Sequence, residues 1–442
     1  MATATPPSRP IVVAAVEMGY GHLRAAHALA AAAGLEVARA DRPPLATADD
    51  ERRWQRARAL YEAISRGSQV PLLGRALRRL LDTLTAIPHL YPYRDQSAPT
   101  LGVRILDRLA RGGLGDGLLG ALRRADATLV TTFFAQAITA ARDWPRVVCV
   151  VTDSDINRVW APRDAASTKI RYCVPSERAL RRLRSFGVPA ANLHLTGFPL
   201  PPTLLGGPDL GVLRRNLAAR LVRLDPQRAF RESFRDELAH FFGPLPADQE
   251  GAAPHLTFAV GGAGAQFGMV RSFLPALREP IREGRLRVAL VAGMRRTVAA
   301  TFYRLLAENG LDARLGDGVE VLCEDDFPRY LERFNRLLAR TDILWTKPSE
   351  LVFYGALGLP LVFAPPVGVH ERLNRRWAIQ RGAGLKQDTP SHAWHWLREW
   401  LADGTLAAAA WSGYIRLPKF GTYRILEVAA ALGTAGSVAR AS

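Results

Sequence analysis

The chain has 442 residues, of which 48% are apolar and 23% are charged. This length and balance are typical of a globular protein with two or three domains, and they exclude a fibrous or disordered chain. The formal net charge is +18 and the isoelectric point is near 10.7, which favours an anionic partner: nucleic acid, anionic lipid or a phosphorylated substrate.

The cysteines and the first residues bear on the compartment. Cys149, Cys173 and Cys323 are odd in number and lie in apolar runs, which argues against a disulfide framework and for a reducing environment. The start, MATATPPSRP, lacks a secretory pattern, and no apolar run is long enough to span a bilayer. We therefore expect a cytoplasmic protein, either free or peripheral on the inner face of the membrane.

The first motif is the stretch VVAAVEMGYGHLRAAHALA, residues 12–30. An apolar run over 11–16 predicts a short buried strand, and residues 23–33 are rich in strong helix formers. Gly19 and Gly21 then lie in the strand-to-helix turn, where glycine permits positive φ and close approach of a ligand. His22 lies near the first turn, whose free N–H groups attract anions. A tight turn with an ordinary surface histidine is the alternative interpretation.

Residues 71–87 depart from this α/β pattern and predict an amphipathic basic helix. Its leucines fall on one helical face, arginines lie nearby, and Tyr91 and Tyr93 follow. The residues concerned are Leu73, Leu77, Leu80, Leu81 and Leu84, with Arg75, Arg78 and Arg79. Such a helix either lies on an anionic membrane or packs its leucines on the protein's own core.

Strand and helix patterns alternate along most of the chain, as in a doubly wound parallel sheet. Apolar runs predict strands over 11–16, 127–132, 147–152, 170–174, 256–260, 287–292, 319–323, 342–345 and 360–364. Proline and glycine cluster over 201–211. We therefore predict one domain over 10–200, a linker region over 201–228 and a second domain over 229–420.

A second glycine-rich loop follows the predicted strand over 256–260. In LTFAVGGAGAQFGMV, residues 256–270, the backbone amides of Gly261, Gly262, Ala263, Gly264 and Ala265 precede a helix, which suits a phosphate group. The pattern is not G-x-G-x-x-G with a ribose-binding acid at the usual distance, which argues against a nicotinamide cofactor. We expect no cofactor.

Polar residues follow two later strands in TKPSELVFYGALGLPLVFAPPVGVHERLN, residues 346–374. Ser349 is a candidate helix N-cap, so Lys347, Ser349 and Glu350 should lie at the carboxyl end of the sheet, where open α/β folds bind ligands. There Lys347 can pair with a phosphate and Glu350 can bind ribose hydroxyls. An ordinary helix start is the alternative. A second polar group follows the next strand: His370, Glu371 and Asn374.

These motifs together resemble the GT-B glycosyltransferases of the monogalactosyldiacylglycerol synthase group. That group's relatives include diacylglycerol glucosyltransferases and the N-acetylglucosaminyltransferase of peptidoglycan synthesis. The similar segments are collinear and cover most of residues 11–385. They are MGYGHLRAA, VTDSDINRVW, VPSE followed by Gly187-Val188 and TGFP, GGAGAQ, and TKPSELVFYGALGLPLVF followed by HERLN.

The resemblance implies two Rossmann-like domains that face each other across a cleft, with the helix over 421–442 packing back on the N-terminal domain. It implies transfer of a sugar from a nucleotide diphosphate sugar, with UDP favoured, to a hydroxyl of a hydrophobic or lipid-linked acceptor. Gly19 and Gly21 would shape the acceptor side, and His22 would take the acceptor proton. Asp153 would orient His22 or replace it as base.

On the donor side, the resemblance implies that the loop 261–265 holds the diphosphate. Lys347, Ser349, Glu350, His370, Glu371 and Asn374 would line the remainder of the donor site. The Asp153–Asp155 pair has the spacing of a metal-binding motif but lies in the acceptor-side domain, so we expect no essential metal. An anionic membrane surface is the expected further partner, and no specific nucleic acid is expected.

This chain departs from the family pattern at two positions. Phe353 stands where the family typically has a glutamate that binds ribose, with Glu350 one turn earlier, and His370 stands where a glutamine often contacts the donor sugar. The sugar and the nucleotide therefore stay open at this point. Two other classes of function also stay open: a nucleotide-sugar epimerase or hydrolase of the same fold, and a non-catalytic basic protein that binds nucleotide or nucleic acid.

Overall fold

A computed structural model describes residues 9–56, 87–259 and 267–438 of the chain. Internal contacts divide the chain into two compact units. The first unit comprises Met1–Pro202, Gly368–Leu373 and Pro418–Ser442, and the second comprises Thr203–Val367 and Asn374–Leu417. The predicted helix over 71–87 and the predicted phosphate loop over 261–265 lie outside the described residues.

The first unit is built on a parallel sheet of six strands in the order β2-β1-β3-β4-β5-β6. The strands are β1 Ile11–Ala15, β2 Ala38–Arg39, β3 Thr128–Thr131, β4 Val147–Val150, β5 Arg171–Val174 and β6 Leu193–Leu195. Strands β3 and β4 are buried along their whole length. Parallel sheets are covered on both faces, which is why their strands read as continuous apolar runs.

The second unit holds another parallel sheet of six strands, in the order β12-β11-β10-β7-β8-β9. Its strands are β7 His255–Ala259, β8 Arg287–Gly293, β9 Val319–Cys323, β10 Ile343–Thr346, β11 Leu361–Phe363 and β12 Gly384–Lys386. Read from β7 onward, this is the strand order of dinucleotide-binding Rossmann folds. The α/β class and the two Rossmann-like domains that the sequence predicts are confirmed.

Helices cover the sheets in the described ranges. They are α1 Tyr20–Ala33, α2 Leu101–Arg111, α3 Asp116–Ala125, α4 Phe134–Ala140, α5 Glu177–Ser185, α6 Pro202–Leu205, α7 Gly211–Arg223, α8 Ala229–Ser233, α9 Arg235–Phe242, α10 Val270–Arg282, α11 Arg296–Glu308, α12 Phe327–Arg340, α13 Val369–Gln380, α14 Ala393–Ala402, α15 Thr405–Arg416 and α16 Gly421–Val438. The described helices include none that is long and apolar enough to cross a membrane.

Short 3₁₀ helices complete the described elements. They are Arg158–Trp160, Ala190–Asn192, Ala247–Gln249, Phe267–Met269, Asp312–Arg314, Glu350–Leu357 and Pro390–His392. Arg158–Trp160 comes after β4, and Glu350–Leu357 comes after β10.

The chain ends on the first unit. Helix α16 packs against α1 and against strands β3 and β4, and the Thr422 hydroxyl donates a hydrogen bond to the Leu200 carbonyl (2.6 Å). Gly421 begins this helix in close contact with residue 198: a Cβ at Gly421 would lie 2.2 Å from the Phe198 carbonyl oxygen. Glycine is therefore required at the start of the returning helix.

The segment 201–228 differs from an extended linker. It contains α6 and the 13-residue helix α7, and the second unit begins at Thr203. Leu213, Leu217 and Leu221 on α7 are buried. Of the proline and glycine residues that indicate a linker, Gly206, Gly207 and Pro208 occupy the turn between α6 and α7, whereas Pro202 and Gly211 begin these helices.

His255, the first residue of β7, should make the protein less stable in mild acid. Burial and the nearby charges of Arg340, Arg287 and Arg223 lower its pKa from 6.5 to about 4. Below pH 6.5 the unfolded chain takes up a proton that the folded chain refuses, so the free energy of unfolding falls as the pH drops towards 4. We expect this residue to account for a loss of about 2–3 kcal/mol. Urea unfolding at stepped pH should show a shallower decline for His255→Gln, and an unchanged decline would contradict the assignment.

Candidate functional site

The turn after β1 places His22 at the start of a helix. Gly19 has φ of 111°, which side chains other than hydrogen rarely permit, and α1 begins at the next residue. His22 is therefore in the first turn of α1, at the carboxyl edge of the first sheet. Strand β1 lies between β2 and β3. The chain therefore continues from β1 to β2 on one side of β1 and later returns to form β3 on its other side. Open α/β sheets bind ligands at such a switch point.

The imidazole of His22 has a defined orientation. Its Nδ1 lies 2.6 Å from the Thr132 carbonyl oxygen, just beyond the end of β3. A carbonyl oxygen can only accept a hydrogen bond, so Nδ1 carries the proton and Nε2 carries the lone pair of the neutral ring. The Thr132 hydroxyl in turn donates to the His22 carbonyl (2.9 Å). Two hydrogen bonds thus join the first turn of α1 to the end of β3.

Aromatic side chains surround the His22 ring. The Phe133 ring lies edge-on at a centroid distance of 4.9 Å, and the Trp160 ring is at 6.3 Å. Phe134 contacts both of these rings, and Trp54 contacts Phe133. The polar imidazole therefore lies in a largely apolar setting, which suits binding of an apolar or ring-shaped group.

Asp153 and Asp155 have different surroundings after β4. Asp153 follows Thr152, whose hydroxyl oxygen is 3.4 Å from His22 Nδ1. The fully buried Asp155 carboxylate instead accepts hydrogen bonds from Arg178 (2.6 Å) and from the fully buried Arg182 (2.9 and 3.0 Å). Both oxygens of Asp155 are thus engaged by guanidinium groups, so the pair lacks the two available carboxylates that a metal motif needs.

A cluster of charged residues lies beside this turn, and the sequence motifs do not predict it. Glu17 accepts hydrogen bonds from Arg39 (2.8 Å) and Arg42 (2.9 Å), and Arg39 also donates to Asp41. Burial opposes ionisation of Asp41, but the hydrogen bonds and charge of Arg39 outweigh it and lower the Asp41 pKa. A cavity of about 120 Å³ lies here, between this cluster and Trp54. No sequence pattern indicates this charged cluster, because Arg39 belongs to the edge strand β2, which the apolar runs do not predict.

In the second unit, Lys347, Ser349 and Glu350 follow β10 at the carboxyl edge of the sheet, as predicted. Ser349 occupies the N-cap position of the 3₁₀ helix Glu350–Leu357, although its side chain makes no capping hydrogen bond. Glu350 is 7% exposed. Strand β7, which ends at Ala259 directly before the glycine-rich loop, pairs with β10. Because β7 leads to β8 on one side and β10 leads to β11 on the other side, this parallel pair is the switch point of the second sheet.

Arg220 of α7 holds the segment that carries these residues. Its guanidinium is fully buried and donates to the Thr341 carbonyl (2.8 Å) before β10 and to the Leu357 and Gly358 carbonyls (2.8 and 3.1 Å) after it. Burial lowers the Arg220 pKa to about 10. One side chain thus fixes both ends of the stretch that contains Lys347 to Glu350.

Phe353 and Trp377 pack edge to face at 5.0 Å, and both are buried. The position at which the resembling family has its ribose-binding glutamate is therefore part of the core in this chain. Glu350 is the carboxylate nearest to Phe353 in the sequence of the 3₁₀ helix Glu350–Leu357.

His370, Glu371 and Asn374 lie on the first turns of α13. Glu371 and Asn374 are buried, and the His370 ring lies over Gly368. His370 and Glu371 belong to Gly368–Leu373, a segment that groups with the first unit, whereas Asn374 groups with the second. The sequence analysis places all three in one domain, over 229–420.

A family model described as a domain of unknown function (DUF6938) matches residues 247–424. No curated protein matches the chain.

Several solved structures resemble the chain. MurG from Acinetobacter baumannii is 15% identical, with a TM-score of 0.46 over 95% of this chain and 99% of that one. A UDP-GlcNAc 2-epimerase from Neisseria meningitidis, bound to UDP-GlcNAc, is 10% identical with a TM-score of 0.44 over 95% and 99%. A glycosyltransferase from Rickettsia africae is 10% identical with a TM-score of 0.41 over 96% and 98%. At these identities the likeness concerns the fold alone.

Proposed function

We propose that this protein is a glycosyltransferase that moves a sugar from a nucleotide diphosphate sugar to a hydroxyl group of a hydrophobic or lipid-linked acceptor. The observation that carries the proposal is the setting of His22. It lies at the switch point of the first sheet, and the contact of its Nδ1 with the Thr132 carbonyl fixes the neutral ring in the tautomer whose basic nitrogen is Nε2. A histidine so oriented is suited to remove a proton from a hydroxyl group.

The donor is assigned to the switch point of the second sheet. The loop 261–265 would bind the diphosphate through its amides, Lys347 would pair with a phosphate, and Glu350 would accept hydrogen bonds from ribose hydroxyls. Ser349, His370, Glu371 and Asn374 would complete the site. UDP is the favoured nucleotide, and this preference rests on the family resemblance alone.

The reaction follows from these roles. The acceptor hydroxyl gives its proton to His22 Nε2 while its oxygen forms a bond to the anomeric carbon of the sugar. The bond from that carbon to the diphosphate oxygen breaks, and the nucleotide diphosphate leaves with the electron pair. Backbone amides and a helix N-terminus stabilise the charge that develops on it. Gly19 and Gly21 leave room for the acceptor, and Asp153 orients His22 or serves as the base itself.

The aromatic rings around His22 support an acceptor with an apolar part. Phe133, Phe134 and Trp160 place hydrocarbon surface beside the proposed base. A freely hydrated small acceptor would gain little from such walls, whereas an apolar or lipid-linked acceptor loses unfavourable contact with water.

A bulky residue at Gly262 should abolish donor binding. In Gly262→Leu a side chain would fill the space that the diphosphate needs next to the backbone. Nucleotide sugars that bind the native protein should raise its melting temperature, and this shift should disappear in the variant. Gly251→Leu is the control for general loss of fold. Gly251 lies at an exposed turn outside the proposed site, and its φ of 71° means that leucine strains the backbone there too. Unchanged donor affinity in Gly262→Leu would count decisively against the assignment.

Two other measurements separate the remaining classes of function. Turnover of a nucleotide sugar without any acceptor would indicate an epimerase or hydrolase. Binding of nucleic acid with a steep dependence on salt, without sugar transfer, would indicate the non-catalytic class.

Transfer should not depend on a divalent metal. Asp155 is engaged by Arg178 and Arg182, and a lysine with a helix N-terminus can stabilise a leaving diphosphate in place of a cation. Treatment with EDTA followed by gel filtration should leave the transfer rate within about twofold of the untreated enzyme, by contrast with a loss of several orders of magnitude for a true metal enzyme. Restoration of a lost rate by Mg²⁺ or Mn²⁺ would overturn this expectation.

A further inference from the structure

A cavity of about 710 Å³ lies within the first unit, at the edge of its sheet where the strands begin. Trp144 and Pro145, which directly precede β4, and Lys169, which precedes β5, line it. The end of α2 and the segment after α4 supply further walls. Because parallel strands all begin at the same edge, the cavity is at the amino edge of the sheet, whereas His22 is at the carboxyl edge. The cavity is therefore separate from the proposed base, and its volume suits a small-molecule ligand.

The lining of this cavity carries more cationic than anionic side chains. Its charged members are Arg111, Arg142, Arg163, Lys169, Asp107, Asp143 and Asp164. Asp107 pairs with Arg111 (3.0 Å) and with Arg163 (3.4 Å). Arg142 donates a hydrogen bond to the Ala110 carbonyl, but among the described residues no carboxylate pairs with Arg142 or with Lys169. These two cations are therefore available to an anion.

Trp144 forms a fixed aromatic wall of the cavity. Its indole N–H donates to the Ala127 carbonyl (2.9 Å), and the guanidinium of Arg146 lies over its ring at 4.5 Å from the centroid. Arg146 is buried, pairs with Asp126 and does not line the cavity. The protein thus covers one face of the ring, and Trp144 meets the cavity with its remaining surface. A ring held in this way can bind a planar group with little further loss of side-chain entropy.

The register of β4 and β5 brings the aromatic wall and the cationic group together. Val148 pairs with Arg171, and the same register continued towards the strand starts puts residue 146 opposite Lys169. Neighbouring strands are about 4.8 Å apart. One ligand can therefore contact Trp144 with a planar ring and Lys169 with an anionic group at the same time.

We propose that this cavity is a second ligand site, for a nucleotide whose base stacks on Trp144 and whose phosphate pairs with Lys169 and Arg142. Base stacking on an aromatic side chain and charge-assisted hydrogen bonds to phosphate are the interactions for which these groups are suited. The Asp143 carboxylate can accept a hydrogen bond from a ribose hydroxyl or a base N–H. An inorganic anion would leave the Trp144 surface in water, and an uncharged ring compound would leave the cations unpaired. The site differs from the donor site, which is assigned to the second unit.

Helix α2 connects this cavity with the surroundings of the proposed base. Asp107, near the end of α2, pairs with two arginines of the cavity, and a bound phosphate competes for them. At the other end, a Cβ on Gly102 would lie 2.9 Å from Val159 Cγ1, so the first turn of α2 packs on the 3₁₀ helix Arg158–Trp160. The tryptophan ring of that helix is 6.3 Å from the ring of His22. We therefore expect a bound nucleotide to change the rate of transfer. This expectation rests on the proposed function, whereas the binding itself does not.

The test is titration calorimetry of the full-length protein with adenosine 5′-monophosphate, with adenosine and with inorganic phosphate. We expect adenosine 5′-monophosphate to bind at least about tenfold more tightly than adenosine or phosphate, because it alone makes both interactions. Trp144→Leu should weaken its binding by about tenfold or more, and so should Arg142→Ser/Lys169→Ser. Gly262→Leu, which is designed to block the donor site, should bind it as tightly as the wild type does.

Matched controls decide whether the cavity is responsible. Trp394 is a half-buried tryptophan of the second unit, and the guanidinium of Arg285 lies 5.2 Å from its ring centroid. Trp394→Leu therefore repeats the change at Trp144 outside the cavity and should bind adenosine 5′-monophosphate normally. Arg329→Ser/Arg336→Ser on α12 removes two positive charges elsewhere and should also bind normally. Circular dichroism and melting temperature show that each variant is folded, and the exposed pair Arg142 and Lys169 tests the site even if Trp144→Leu does not fold.

Several results would overturn the second site. One is a wild-type protein that does not bind adenosine 5′-monophosphate at millimolar concentration. Another is a folded Arg142→Ser/Lys169→Ser variant that binds like the wild type, or loss of binding in Gly262→Leu, which would place the nucleotide in the donor site. Phosphate that binds as tightly as the nucleotide would reduce the site to one for a bare anion.

The connection through α2 has its own readout. At saturating donor, adenosine 5′-monophosphate should change the transfer rate of the wild type by at least about twofold and leave the rate of Arg142→Ser/Lys169→Ser unchanged. An equal change in both proteins would show that the nucleotide acts elsewhere, and no change in either would remove the connection. A protein that transfers no sugar at all would contradict the proposed function, while the calorimetry would still decide whether the second site exists.

Discussion

His22→Gln should lower the rate of sugar transfer by about 10²–10⁴-fold, the usual contribution of a general base. Glutamine keeps a polar side chain of similar size, but it has no basic nitrogen in place of Nε2. Donor affinity should stay near the wild-type value, because the donor is assigned to the other unit. The measurements are kcat at saturating acceptor and donor affinity by calorimetry.

His27→Gln is the matched control for this prediction. His27 is on the same helix, and burial and the charge of Arg39 lower its pKa to about 4, so it is neutral at the pH of the assay and should not affect transfer. Asp153→Asn tests the competing assignment. A larger loss in Asp153→Asn than in His22→Gln would make Asp153 the base. Equal rates for His22→Gln and the wild type would remove His22 from the mechanism.

Eight of the nine strands that the sequence predicts correctly lie between two other strands, and the ninth, β9, lies at the edge of its sheet. Each of the nine predicted strands is present, within about two residues at either end. The missed strands are Ala38–Arg39, Leu193–Leu195 and Gly384–Lys386, and each lies at the edge of a sheet. These three strands pair on one side only, have two or three residues each and show no continuous apolar run.

The candidate site could be predicted only where its residues are close in sequence to a strand end. Gly19 and Gly21 with His22, and Lys347 with Glu350, follow buried strands, and parallel strands bring their carboxyl ends to one edge. The partner that orients His22 is the carbonyl of Thr132, which is 110 residues away. A backbone carbonyl has no side-chain signature, so no pattern of residue types could have indicated it.

The role of α7 was missed for a related reason. Prolines and glycines over 201–211 are typical of a linker, and the predicted linker region includes the arginines that follow, up to residue 228. In the structure Arg220 is fully buried because three backbone carbonyls accept its hydrogen bonds, and Arg223 pairs with the buried Asp342 (2.7 and 2.9 Å). Burial of arginine depends on acceptors from distant segments, which single-sequence periodicity does not contain.

Arg220→Met should be the most destabilising substitution on α7. Methionine fills much of the space, but the carbonyls of Thr341, Leu357 and Gly358 lose their donor in a buried setting. Each unpaired group costs about 1–3 kcal/mol, and relief of a buried charge offsets part of the sum, so we expect a loss of about 3 kcal/mol in the free energy of unfolding. For a domain of this size that corresponds to a fall of about 6–12 °C in melting temperature.

Arg215→Met is the matched control, because Arg215 is exposed on the same helix and its replacement should change stability by no more than about 0.5 kcal/mol. Since Arg220 fixes both ends of the segment that carries Lys347 and Glu350, the donor KM should also rise in Arg220→Met at temperatures where the variant is folded. A purely structural role would lower the melting temperature and leave the KM of the folded fraction unchanged. Arg220→Lys separates these effects further: lysine keeps the charge but, with a single terminal nitrogen, cannot reach acceptors at both ends of the segment. We therefore expect Arg220→Lys to restore part of the stability and little of the donor KM.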